Sequence, residues 1–190
     1  ATYQSTCHFE NDGAMEVSVS IQPYGDSMPE LPRFGMRLLV DRSFSQVQWF
    51  GRGPFDNYCD RRAAAYVDAY SADAASLFHP YPRAQESGYR TGVLRMRMTG
   101  SKGEGIGFEG QPAFSFGVLP FNRTKIDFNR SKNIHGSTID YDDYYWVNID
   151  LQQMGVGGDN SWGARTHAEY LLPYRAYHYS FRIVKADAEQ

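Results

Sequence analysis

Cysteine is scarce in this sequence. Cys7 and Cys59 are the only two among 190 residues, which excludes a dense disulfide framework and metal capture by a cysteine cluster. One disulfide stays open beside the alternative of two thiols packed as small hydrophobes. The compartment therefore stays open too, between cytoplasm and periplasm. Positive charge is also in short supply: 19 Lys+Arg stand against 22 Asp+Glu for a formal net charge of -3. No segment concentrates enough basic residues to track a phosphate backbone, so no nucleic-acid partner is expected. Long apolar runs are missing, which excludes a membrane-spanning helix. The opening ATYQSTCHFENDG has neither a basic start nor a hydrophobic signal core, so the chain reads as soluble and already trimmed of any targeting segment. Repeats, heptads and low-complexity tracts are absent as well, and residues 1–190 read as a single domain with a fraying ADAEQ end.

What is present is aromatic and alternating. The 14 Tyr and 12 Phe fall in short stretches of period two, the mark of strands with one packed and one wet face. In MEVSVSIQ, Met15, Val17, Val19 and Ile21 point one way while Glu16, Ser18, Ser20 and Gln22 point the other, until Pro23 and Gly25 end the run. FGMRLLV (34–40) and VQWFGRG (47–53) predict two further strands. VLRMRM places Leu94, Met96 and Met98 on one face and Arg95 and Arg97 on the other. The glycines of GEGIGFEG predict a bulge or bend around Ile106 and Phe108, before AFSFGVLPF supplies Phe114, Phe116 and Val118. YYWVNIDLQQM alternates Tyr145, Val147, Ile149 and Leu151 with Trp146, Asn148, Asp150 and Gln152, and YHYSFRIV does the same with Tyr177, Tyr179, Phe181 and Ile183. Both read as sandwich strands. Asp60–Phe78 is ambiguous: its alanines favour a helix by propensity, while tertiary context can select an extended connection with short strand pieces.

Three motifs stand out in order along the chain: GRGPFDNYCDR (51–61), YPRAQESGYRTGV (81–93) and MGVGGDNSWG (154–163). Together they closely resemble the small-chain domain found near the C-terminus of the large bacterial beta-galactosidases, and the resemblance covers most of the chain. Departures are local. Asp56 stands where the family has Glu, and Ala84, Ser87 and Gly92 occupy its Pro, Asn and Asp positions. The resemblance implies a mostly β fold, a large antiparallel β-sandwich (supersandwich) of the galactose-mutarotase-like type, of which this chain matches the C-terminal two-thirds. It implies a place over the mouth of a TIM-barrel that carries both catalytic glutamates. No catalytic residue and no cofactor is then expected within this chain, and the family's magnesium and sodium belong to the catalytic region elsewhere. The partners implied are that barrel, its adjacent domains and a galactoside substrate. Strand edges left uncovered predict pairing with a partner or a homo-oligomer.

Trp162 is the leading site residue, because an indole stacks on a sugar ring while its N–H donates a hydrogen bond, and the family's matching Trp lines the active-site mouth. Asp159 and Asn160 either shape the loop through Asx interactions or meet a sugar hydroxyl. Asn57, Tyr58, Asp60 and Arg61, with Asp56, suggest a buried polar network supporting the sandwich, or a contact with the barrel. Glu86 and Arg90 suggest either a charge-assisted contact near the active-site side or a solvated ion pair. Trp49 and Trp146 are expected to pack. His8, His79, His135, His167 and His178 lack metal-ligand spacing. Asp140, Asp142 and Asp143 read as a charged turn rather than a calcium loop, lacking the EF-hand pattern. The sequons at Asn122 and Asn129 mark only possible glycan acceptors. Competing readings are an independent carbohydrate-binding module, a purely structural docking domain, and a mutarotase-like enzyme, which would need a paired acid and base.

Overall fold

A computed structural model describes residues 1–25, 28–126, 135–160 and 162–186, without the side chain of Gln111. Asn129 and the last four residues lie outside that range. The described residues are 51% strand with no α-helix, as the alternation predicts. Among the described residues nine strands form: β1 (Thr2–Phe9), β2 (Met15–Gln22), β3 (Arg33–Asp41), β4 (Gln46–Gly53), β5 (Tyr66–Asp73), β6 (Tyr89–Thr99), β7 (Gly105–Leu119), β8 (Tyr144–Gln153) and β9 (Tyr177–Ala186). All pairings are antiparallel, in one curled sheet of order β1-β2-β9-β7-β6-β4-β5, with β8 added on β7 and β3 on β8.

The curl comes from β6 and β7, which belong to both layers. The first part of β7, Gly105–Gly110, pairs with β9, and its last part, Ser115–Leu119, pairs with β8. Between them the register shifts twice in β6, around Val93. Such irregularities bend a strand and strengthen its twist, and here they turn the β3-β8 end over the β2-β9 end. The two layers meet through aromatic rings: Phe34 of β3 lies 5.7 Å from both Tyr177 and Tyr179 of β9, and the Tyr179 hydroxyl donates to the Ile149 carbonyl at 2.7 Å. Val17, Val19, Trp49, Met96, Met98, Phe108, Phe116, Val147, Ile149 and Phe181 fill the space between.

Three local expectations change. Leu94 does not share the buried face of Met96 and Met98; it is 45% exposed, and Val93 is buried in its place, because the register shift between Val93 and Arg95 breaks the alternation. The bend in β7 is not at Ile106 and Phe108, which sit in regular register with β6 and β9, but beyond them at 111–113. Gly107 instead allows close approach, since a Cβ there would meet Val184 at 2.7 Å. Residues 66–73 are strand rather than helix. β4 has an open edge that eight residues of β5 fill in continuous register, and the Tyr70 ring packs 5.4 Å from Trp49, so ladder hydrogen bonds and packing outweigh alanine propensity. Cys7 and Cys59 are both free thiols. Every residue of β1 is exposed, and no described strand covers its outer edge.

Candidate functional site

The three motifs converge. Asn57, fully buried, stitches the first to the second: its backbone N–H donates to the Tyr89 carbonyl at 2.7 Å, and its Oδ1 accepts from the Thr91 backbone at 3.0 Å and from the Thr91 hydroxyl at 2.6 Å. Its Nδ2 donates to the Phe55 carbonyl at 3.1 Å. Tyr58 stacks on Tyr89 with centroids 5.7 Å apart, and the Arg61 guanidinium lies 5.0 Å from the Tyr58 ring centroid. Burial pushes the Tyr58 hydroxyl pKa far up, and that hydroxyl has no hydrogen-bond partner among the described residues. Asp56 accepts from the Gly88 backbone at 3.4 Å and stands 3.7 Å from Arg61. Arg90 is buried and donates to the carbonyls of Pro54 at 3.0 Å and Leu77 at 3.4 Å, with its guanidinium 5.5 Å over Trp49. Burial lowers its pKa to about 10. Glu86 and Arg90 do not pair with each other; Glu86 turns to Arg33 and Arg123.

Asp60 joins the first motif to the third. Its Oδ2 accepts from the Gly157 N–H at 2.7 Å and from the Thr166 hydroxyl at 3.4 Å. Glycine at 155 follows from this contact, since a Cβ there would sit 2.7 Å from the Asp60 carboxylate. Beyond Gly157 the loop is exposed. Asn160 Oδ1 accepts from the backbone N–H of Trp162 at 2.8 Å and of Ala164 at 3.4 Å, so Asn160 shapes the turn that carries the indole. Asp159 meets His167 Nε2 at 2.9 Å. Trp162 is 93% exposed. Because Gly157 is held by a residue 97 positions earlier, Asp60→Ala should loosen the loop locally. We expect the Gly157 amide to exchange roughly tenfold faster while global stability falls by only about 1 kcal/mol, read by hydrogen exchange and urea denaturation.

The remaining tryptophans pack. Trp49 is buried with Nε1 on the Arg52 carbonyl. Trp146 is half-buried against Phe78, Leu119, Phe121 and Ile139, and its Nε1 donates to Asp142 at 2.8 Å. Asp142 also accepts from Lys125 at 2.6 Å and from the Asn122 backbone at 2.7 Å, contacts that lower its pKa. No group of three or more His, Cys, Asp or Glu among the described residues is placed to hold a metal ion.

One cluster is absent from the motif reading. On the face of β3 and β8 away from the core, Arg33 and Arg37 oppose Asp150 and Asn148. Arg33 lies 3.4 Å from Asp150 and bonds Gln153; Arg37 Nε donates to Asn148 at 2.9 Å; Tyr89 donates to Asp150 at 3.1 Å. Gly35 leaves the room, since any side chain there would overlap Asp150. Burial pushes the Asp150 carboxyl up to about 6, against the pull of Arg33, the Tyr89 hydroxyl, Arg123 and Arg37. Burial also lowers Arg123 to about 10, helped by the positive charges of Arg33 and Arg37. The available signal was the pair Asn148 and Asp150 between the apolar residues Val147, Ile149 and Leu151.

Comparison with known sequences bears on what this arrangement serves. Residues 1–183 match the family described as Beta galactosidase small chain. The chain belongs to that family. Relatives of the small-chain domain include the beta-galactosidase of Priestia megaterium, 34% identical over 91% of this chain and 16% of the relative. The beta-galactosidase of Vibrio cholerae is 34% identical over 94% of the chain and 16% of its own length, and that of Pseudoalteromonas haloplanktis is 32% identical over 91% and 16%. The chain thus spans 16% of the length of these relatives. All three sequence motifs and the Asp60 to Gly157 contact lie within the part matched to the family. No helix among the described residues is long and apolar enough to cross a membrane.

Proposed function

We propose that this chain is a non-catalytic β-sandwich portion of a beta-galactosidase, a glycoside hydrolase acting on terminal beta-D-galactosides. In that enzyme it braces the catalytic barrel and contributes the Trp162 loop to the wall of the sugar pocket. The observation that carries this reading is the near-complete exposure of Trp162 on a turn tied at Asp60 and Asn160. An exposed indole offers an apolar ring face and one N–H donor, and the apolar face of a pyranose is the partner that the family membership favours. The contribution to catalysis is orientation: stacking holds the sugar while carboxylates of the barrel act. The fully exposed β1, with its open outer edge, suits strand pairing with an adjacent domain or a second copy.

The test uses the complete enzyme. Trp162→Ala should lower kcat/KM for an aryl galactoside roughly tenfold, about 1.4 kcal/mol of transition-state binding, with thermal stability unchanged, and Trp162→Phe should recover part of the loss. Unchanged kinetics in the Ala variant would remove Trp162 from the sugar wall.

A further inference from the structure

The polar cluster on β3 and β8 is unbalanced in charge. Arg33, Arg37 and Arg123 face Glu86 and Asp150, three guanidiniums against two carboxylates. Arg33 and Arg123 both have carboxylate partners. Arg37 gives its Nε to a neutral amide and rests 5.9 Å from the Trp146 ring, and no carboxylate of the described residues forms an ion pair with it. Hydrogen bonding is incomplete as well. Among the described residues Arg33 Nη1 is shut off from solvent and makes no hydrogen bond, its contact with Asp150 being an ion pair at 3.4 Å. Buried donors of this kind are costly unless a partner arrives.

Arg33, Arg37, Glu86 and Arg123 of this cluster line a cavity of about 320 Å³, whose wall also includes Pro32, Met154 and Val156. Its size lies at the small end of ligand sites. Apolar side chains beside guanidiniums suit a group that is charged at one end and apolar behind. We propose that this cavity binds one carboxylate group on a short apolar stem. A guanidinium offers a planar fork that matches a carboxylate in two parallel hydrogen bonds, and a single negative charge neutralises the cluster, whereas a dianion would overshoot it. Two sources supply this chemistry: a small organic acid in solution, or an Asp or Glu side chain of the longer polypeptide to which the chain's relatives point. The site stands apart from Trp162 and does not rest on its role.

Propionate is the probe, titrated into the 190-residue chain at fixed ionic strength and followed by amide NMR, with propionamide as the uncharged control. Saturable shifts at Gly155 and Val156 are expected in the millimolar range, absent with propionamide. Arg37→Gln should weaken binding about tenfold and Arg37→Lys less, since a point charge lacks the fork; Arg37 is exposed, so both should fold. Equal responses to the two probes, no saturation, or an unchanged affinity in Arg37→Gln would overturn the proposal. The complete enzyme separates the sources. Retained propionate binding there assigns the site to a free acid, and loss of binding there assigns it to a carboxylate of the parent chain.

Discussion

Phe116→Ala is expected to lower the unfolding free energy by about 3 to 5 kcal/mol, a large part of the 5 to 15 kcal/mol that typically holds a domain together. The ring is fully buried and meets Trp49 edge-on at 5.7 Å. Its backbone cannot easily shift to fill the void. Phe116 is paired on one side with Arg90 of β6 and on the other with Ile149 of β8, and Arg90 is itself held by two carbonyls. A cavity that cannot collapse costs most. The matched control is Leu94→Ala, also on β6 but turned to solvent by the bulge, where a change within about 0.5 kcal/mol is expected. Urea denaturation of both variants measures the difference. Similar costs at the two positions would mean that Leu94, not Val93, faces the core.

That comparison also shows where sequence reasoning reaches and where it stops. MEVSVSIQ matches β2 residue for residue, because a strand with one face on a core and one in water must alternate. The same rule fails at Leu94 since a bulge shifts parity without leaving a mark in composition. It fails again at Asn148 and Asp150. Alternation assigns polar positions to solvent, yet both are buried against β3, with Glu86 and Arg123 reaching over them from connections distant in sequence. Residues 66–73 illustrate a third limit: alanine content reports local preference, while the open edge of β4 is a property of the assembled sheet. The motifs fared differently. Each of the three is visible as a glycine-punctuated polar stretch, and the family resemblance ordered them, but the hydrogen bond from Gly157 to Asp60 couples residues that no periodicity connects.

Asp150→Asn should remove a pH dependence of about 3 kcal/mol from the stability of the chain. In the fold the Asp150 carboxyl is pushed up to about 6 from its ordinary 3.8, because burial penalises its charged form more than the neighbouring guanidiniums and the Tyr89 hydroxyl favour it. The folded state therefore holds this proton more tightly than the unfolded chain does. Its stabilising contribution is fully present below pH 3.8 and is lost as pH rises through about 6. Each pKa unit is worth 1.36 kcal/mol, so a shift of roughly two units gives the stated size. Asparagine keeps the shape and can still accept from Tyr89, but it has no proton to lose. Relative to the variant, the wild-type chain should thus be progressively less stable between pH 4 and 7, measured as the difference between paired urea curves so that other titrating groups cancel. A constant difference across that range would mean that Arg33, 3.4 Å away, keeps the carboxylate ionised throughout. With its carboxyl pushed up to about 6, the wild-type residue has a cost at neutral pH that the amide avoids, and what it supplies in return is the negative charge that holds Arg33 against Gln153 at the end of β8, directly before the loop that carries Trp162.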